Sequence, residues 1–310
     1  MKSVRARAYA SIANLGYGFD VFAVCVHCGF DEVDVSLRPS GSRLEVEGEA
    51  GRAIPGSIGR NTAGVAAARL MRDLGVECPI GIRVHKGVST GGGLGSSAAS
   101  AAAAVVAVNR MFGLGLTRRR LVPYAAHGET ASAGASHADN VAAALFGGFV
   151  VVEKRDPTRV LHLKPRGALR FAIAAPKVSL TTQAARRALP RTVAIEEYSQ
   201  GCARSAMIVA AIASGDLRAL GRALEGSVTD RARAGLVPGF AEVCDSARRA
   251  GAAGATLSGA GPSVMAVVDA SRVPPQRVAA AMGDAFRRVG LDAETRIARI
   301  AGGARVIEAR

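Results

Sequence analysis

The densest run of chemistry-bearing positions is Ser89-Thr90-Gly91-Gly92-Gly93-Leu94-Gly95-Ser96-Ser97-Ala98-Ala99. Four glycines in five residues remove β-carbons where a chain must turn tightly, and they leave backbone N–H groups free to face a ligand. A small-residue helix pattern starts at Ser96, so its unpaired amides and positive dipole end are added at the same point. The junction is therefore suited to an anion. Hydroxyls at Ser96 and Ser97 can donate to phosphate oxygens, or one of them can ligate Mg²⁺. Ala98 and Ala99 keep the helix start slim enough for a nucleotide to lie over it. A Walker A loop needs Lys where Ser96 stands, and a dinucleotide fingerprint needs Gly there, so neither motif is present.

Gly-Leu-Gly-Ser-Ser-Ala-Ala is more specific than a generic glycine loop, and it resembles the phosphate-binding motif of the GHMP kinases. Three more segments stand in that family's order. Ala10-Ser11-Ile12-Ala13-Asn14-Leu15-Gly16-Tyr17-Gly18-Phe19-Asp20 is similar to the N-terminal signature of its homoserine-specific branch. His137-Ala138-Asp139-Asn140-Val141-Ala142, followed by Gly147-Gly148-Phe149, resembles the same branch. Gly254-Ala255-Thr256-Leu257-Ser258-Gly259-Ala260-Gly261-Pro262-Ser263 resembles the third family motif. The resemblance spans essentially the whole chain. It departs at Ser89 and at Tyr17, where the family motifs usually carry Pro; the second change alters a turn beside the amino-acid pocket.

The resemblance implies ATP as phosphoryl donor, bound by residues 89–99 with Asn61 beside the adenosine, and Mg²⁺ held by Ser97 and Glu129. It implies L-homoserine as acceptor, gripped by Asn14, Asp20, His137, Asn140, Arg186, Arg233 and Gly259. A zwitterionic acceptor needs a carboxylate clamp, and the guanidinium fork of Arg186 or Arg233 supplies one. Asn140 would hold the acceptor hydroxyl near the γ-phosphate, so that Asn140, Glu129 and Ser97 form the catalytic set. Some family members use an Asp base paired with a Lys. No Lys matches here, and Asp139 is read as a structural hydrogen-bonding partner. His137 and Asp139 alone are too few for a closed metal site. Other small alcohols of the family, such as shikimate or mevalonate, stay open as acceptors.

Composition bounds these readings. The chain has 310 residues, 49% apolar and 21% charged, an ordinary globular mixture about two domains long. Its formal charge is +15, which raises nucleic acid as a partner. The excess is nearly all Arg, however, since Lys stands only at positions 2, 86, 154, 164 and 177. Those arginines are dispersed, and with no Trp and four Tyr there is little to stack on bases. No apolar run reaches the 18 residues of a membrane span, and the start lacks a signal core. The five cysteines are scattered; Cys25 and Cys28 sit among apolar neighbours and read as buried, reduced thiols. A cytoplasmic enzyme is expected, and family habit implies a homodimer.

The elements that must position these residues follow from the hydrophobic period. Strands are expected at Ser3–Ala10, Phe19–Val26, Asp31–Leu37, Arg43–Glu47 and Pro79–Lys86, with a loop over 50–60. Asn61 caps a helix to Leu74, and helices follow at Ser96–Met111, Thr117–Thr130 and Ser136–Leu145. Gly147–Glu153 returns as a strand. Beyond Asp156-Pro157 the pattern restarts with strands near Val160–Leu163 and Arg170–Ala175. Helices come next at Thr181–Ala188, Glu196–Ser214, Asp216–Leu224 and Gly239–Gly251. Strands Ala255–Leu257 and Val264–Val268, helix Pro275–Val289 and two short strands complete the chain. The fold class is α+β. By the resemblance, residues 1–157 form a ribosomal-S5-like ATP-binding domain and residues 158–310 a ferredoxin-like domain.

Overall fold

Two strand patterns that the sequence separates, Phe19–Val26 and Asp31–Leu37, are one strand. In the computed structural model, which describes residues 2–48, 54–134 and 136–310, β2 runs unbroken over Gly18–Leu37. It pairs antiparallel along β1 (Ser3–Asn14), with Tyr9 opposite Phe30 and Ala10 already opposite Val26. His27–Gly29 are left over in a bulge, where Gly29 takes φ +128. The bulge breaks the alternation that sequence reading follows. It also lets β2 change partners: Glu32–Leu37 pair with β4 (Ile80–His85), Phe22–Val24 with β5 (Phe149–Val152).

The chain's two halves share one eleven-stranded sheet. Its path runs β11 (Arg305–Ala309), β1, β2, β10 (Ala293–Ile300), β7 (Leu169–Pro176), β9 (Val264–Asp269), β8 (Gly254–Leu257). β3 (Arg43–Glu47) joins parallel to β4, and β6 (Val160–Leu163) joins β5. Strand β10 bridges the halves, pairing with β7 over Ala293–Ala298 and with β2 at Arg299 and Ile300.

On the N-terminal side α2 (Ser96–Met111) packs against β1 and β2 and is flanked by α1 (Thr62–Asp73), α3 (Arg118–Gly128) and α5 (Asp139–Phe146). Its alanines 98, 99, 101–104 and 107 are fully buried. With so little side chain the helix backbone comes close to its neighbours, which brings its N-terminus under the glycine loop. On the C-terminal side a second core forms around Val243, Leu257, Val264 and Phe286. There α10 (Phe240–Arg249) and α11 (Pro275–Arg288) lie together, α10 against β8 and β9, α11 against β7 and β10.

Several expectations shift. The helix read over Thr117–Thr130 ends at Gly128, and α4 (Thr130–Ala133) restarts after Glu129. The next begins at Asp139 rather than Ser136. A six-residue helix, α9 (Val228–Arg233), was not anticipated; Ser227 Oγ accepts from Asp230 N at its start. The helices near Thr181 and Glu196 are observed as α6 (Thr182–Arg187) and α7 (Ile195–Ser214), and α8 spans Leu217–Leu224. The loop read over 50–60 is seen from Ile54 onward; 50–53 lie outside the described residues. Cys25 and Cys28 are buried and unbridged, and burial pushes their thiols up to about 12 and about 11, which makes them inert.

Candidate active site

Local geometry at the glycine loop follows from its residue types. Gly91, Gly93 and Gly95 all take left-handed φ near +70, which side chains disfavour. A β-carbon at Gly93 would stand 2.3 Å from Ser258 O, because the third glycine segment folds directly over the loop. Ser258 Oγ donates to Gly93 O at 2.7 Å and locks the two together. Ser96 closes the loop instead of facing it: its hydroxyl donates to Val88 O at 3.0 Å. Ser97 Oγ donates to Glu129 Oε2 at 2.9 Å.

Under the loop lies a buried network that sequence reading passed over. Asp31, fully buried, accepts from Gly87 N and Val88 N, both at 3.0 Å, and from Ser100 Oγ at 2.6 Å. Lys86 Nζ pairs with the same carboxylate and also donates to Ser96 O and Ser100 Oγ. The ion pair thus ties β2, the loop's entry and the first turn of α2 into one unit. The available signal was a lone Lys beside the glycines in a chain whose cations are otherwise almost all Arg.

A cavity of about 360 Å³ opens from the loop toward the C-terminal half. Residues 89–91, 93–97 and Asn61 line it together with Asn14, Asp20, His137, Asn140, Arg186, Arg233 and Gly259, with Glu129 and Asp139 also on its wall. Gly92, Ala98 and Ala99 do not line it, the two alanines being core residues of α2. Asn61 caps α1, accepting from Ala63 N at 3.0 Å, and its amide donates to Pro55 O.

Around the N-terminal turn three residues without glycine's freedom are held at positive φ: Asn14 (71), Leu15 (45) and Asp20 (59). The tight turn between them is pinned from the C-terminal half. Tyr17 OH donates to Gly226 O at 2.8 Å, and Ser205 Oγ donates to Tyr17 O at 2.9 Å. Asn14 Nδ2 reaches Gly259 O at 2.7 Å. Arg186 Nη2 sits 2.5 Å from Asp20 Oδ1 and 3.1 Å from His137 Nδ1. Arg233, almost wholly buried, donates to Ala185 O and Gly259 O. Both guanidinium carbons lie over the Phe19 ring, at 5.2 and 5.3 Å from its centroid.

The electrostatics divide the cavity. Burial works against the charge of Asp20, but Arg186 and Lys154 outweigh it and hold the carboxyl below its usual range. Burial, then Arg186, lowers the His137 pKa, keeping the ring neutral. Its Nδ1 then accepts from Arg186, and its buried Nε2 carries a proton with no partner among the described residues. Arg186 Nε is likewise buried and unpaired. Burial pushes Glu129 up to about 7 and Asp139 up to about 6.

Glu129 also has a buried oxygen, Oε1, without a partner among the described residues. An orphaned hard oxygen beside the Ser97 hydroxyl fits a Mg²⁺ that takes its other ligands from phosphate and water. Among the described residues no group of three or more His, Cys, Asp or Glu could cage a metal without such help.

An amide-lined anion cradle that opens onto a small pocket with both signs of charge is the layout of a small-molecule phosphotransferase. Comparison with known proteins narrows the class. Residues 61–148 match the GHMP kinases N terminal domain and residues 208–288 the GHMP kinases C terminal domain. The homoserine kinase of Thermoplasma acidophilum is 39% identical over 303 residues, covering 97% of this chain and 96% of that one. That of Aeropyrum pernix is 40% identical over 283 residues, 90% of each chain. The crystal structure of homoserine kinase from Cytophaga hutchinsonii has a TM-score of 0.92 at 33% identity, over 99% of this chain and 98% of that one. The chain belongs to the GHMP kinase family.

Proposed function

We propose that the protein is an ATP-dependent kinase that phosphorylates the side-chain hydroxyl of L-homoserine, giving ADP, O-phospho-L-homoserine and a proton, in threonine biosynthesis. The observation that carries this reading is the convergence of Asp20, His137, Arg186 and Arg233 around Phe19 in the cavity that the glycine loop also lines. A small amino acid needs just such a set. Asp20 takes its ammonium, with Asn14 beside it; the two guanidiniums and the unpaired His137 Nε2 proton take its carboxylate. A sugar or a plain alcohol would have no use for two arginines and a carboxylate together.

Phosphoryl transfer asks for positioning and charge neutralisation more than covalent help. The amides of residues 91–97 bind the phosphates, and Asn61 lies by the adenosine. Ser97 and Glu129 would hold Mg²⁺, which when bound neutralises charge developing on the phosphates. Asn140, half-buried on the cavity wall beside Gly95, holds the acceptor hydroxyl. Asp139, one oxygen of which accepts the Asn140 N–H at 2.7 Å, shapes that helix start.

We place the enzyme in the cytoplasm as a homodimer. Among the described residues no helix is long and apolar enough to cross a membrane. The exposed Ile195 and Tyr198, one helical turn apart on α7, offer a surface for a second copy. Incubation with Mg·ATP and L-homoserine should yield ADP and phosphohomoserine. Turnover of shikimate or mevalonate with none of homoserine would overturn the acceptor assignment.

A further inference from the structure

Ser11 stands in the inner half of β1 and is fully buried. Its two donors reach the two ends of the reaction. The backbone N–H donates to Leu94 O at 3.0 Å, fastening the glycine loop to β1. The hydroxyl donates to Asn140 Oδ1 at 2.8 Å. Gly95 packs into the same corner, where a β-carbon would stand 2.1 Å from Ser11 Oγ and 3.1 Å from Asn140 Oδ1. The corner has no slack.

The two ends of a primary amide are nearly alike in shape and differ in hydrogen bonding, so the neighbours choose between them. With Oδ1 toward Ser11, the serine proton has its acceptor. With the amide flipped, two N–H groups would face the serine oxygen, and a buried hydroxyl proton would be stranded. Leaving a buried polar group unpaired costs more than an ordinary hydrogen bond contributes.

We infer that Ser11 is a positioning residue for phosphoryl transfer, holding Asn140 with its carbonyl oxygen turned away from the reacting atoms and its NH₂ turned toward them. The inference rests on the reading of Asn140 as holder of the acceptor hydroxyl. Asn140 lines the cavity, and its Nδ2 has no protein partner among the described residues. So oriented, the amide offers donors alone. It grips an oxygen and takes no proton. The backbone of the same serine sets the height of the phosphate loop, so one residue of β1 keeps donor and acceptor in a common register.

Ser11→Ala retains the backbone bond to Leu94 O and loses the hydroxyl. It should lower kcat about fivefold, the worth of one neutral hydrogen bond, with Kd for ADP unchanged. In an Asn140→Ala background the same change should cost under twofold, because the residue through which it acts is gone. An equal loss in both backgrounds, a weakened ADP affinity, or a wild-type kcat for Ser11→Ala would each overturn the role of Ser11. A wild-type kcat for Asn140→Ala would instead remove the reading of Asn140 beneath it.

The chain holds only four asparagines, at positions 14, 61, 109 and 140, so asparagine-selective ¹⁵N labelling gives four side-chain amide pairs. The pair absent from Asn140→Ala identifies Asn140, and it alone should shift or broaden strongly in Ser11→Ala. An unmoved pair overturns the inference without recourse to kinetics. Should Ser11→Ala fail to fold, Asn140→Asp asks the same question: it can still accept from Ser11 but presents an acceptor to the cavity. Its kcat should fall as far as that of Asn140→Ala, and wild-type activity would sink the donor role.

Discussion

Ser97 Oγ donates to Glu129 Oε2 at 2.9 Å, joining the first turn of α2 to the junction of α3 and α4, while Glu129 Oε1 is buried without a partner. Half of this carboxylate is satisfied by protein and half is held out for something else. Its pKa reflects the same imbalance. Burial raises it from 4.5 to about 7, so the native state keeps a proton that the unfolded chain releases. The stabilisation from that proton is complete below about pH 4.5 and is lost as pH rises through 7. Without nucleotide or metal, the Tm of Glu129→Gln minus that of wild type should therefore grow between pH 5 and 8. A difference flat with pH would place the carboxyl back in its ordinary range.

Gly93→Ala tests the cradle. Residue 93 lies at φ +71, and a β-carbon would come within 2.3 Å of Ser258 O and 2.9 Å of Gly261 O. Left-handed backbone alone costs a non-glycine residue roughly 1–2 kcal/mol, and the two carbonyls cannot retreat without opening the second glycine segment. Calorimetric titration should show ADP affinity reduced at least tenfold. Unchanged affinity would mean that nucleotide does not use this loop.

Arg186→Ala separates the acceptor pocket from the phosphate site. Hydrogen bonds to a charged partner contribute about 1.5–3 kcal/mol, so KM for homoserine should rise on the order of 50-fold. KM for ATP should hold. A kinase for an uncharged alcohol would show no change in acceptor KM.

Asp31→Asn addresses the buried network beneath the loop. The Lys86 side chain is only 2% exposed, and Asn would leave its charge unpaired. Breaking a buried pair from one side costs about 3–5 kcal/mol, which urea denaturation would read as a lower midpoint at unchanged slope. A loss under about 1 kcal/mol would show that the ammonium is stabilised by Ser96 O and Ser100 Oγ without its carboxylate.

The glycine loop and the helix behind it were legible in the sequence because backbone chemistry is local. A residue without a β-carbon can turn where others cannot, and the helix period that follows it is read from residues three and four apart. The cap at Asn61 was legible for the same reason, and so were α2, α10, α11 and most strands. The β2 bulge was not. A bulge shifts the phase of an alternating pattern, and the strands that β2 pairs with on either side of it, β4, β5 and β10, lie 43 or more residues away in the chain.

By itself the sequence determined the glycine bend, the helix start behind it and the alternating strands, since each depends on neighbours a few positions apart; the residues expected to grip an amino acid came from the family resemblance. Tertiary structure alone decided that Ser96 turns its hydroxyl back to Val88 O and closes the loop, and that Asp31 and Lys86 brace it from below. It also decided that Ser11 orients an amide 129 residues further along the chain. Which atom a hydroxyl or amide points toward is settled by whatever packing brings within 3 Å, and no local rule of spacing contains that distance.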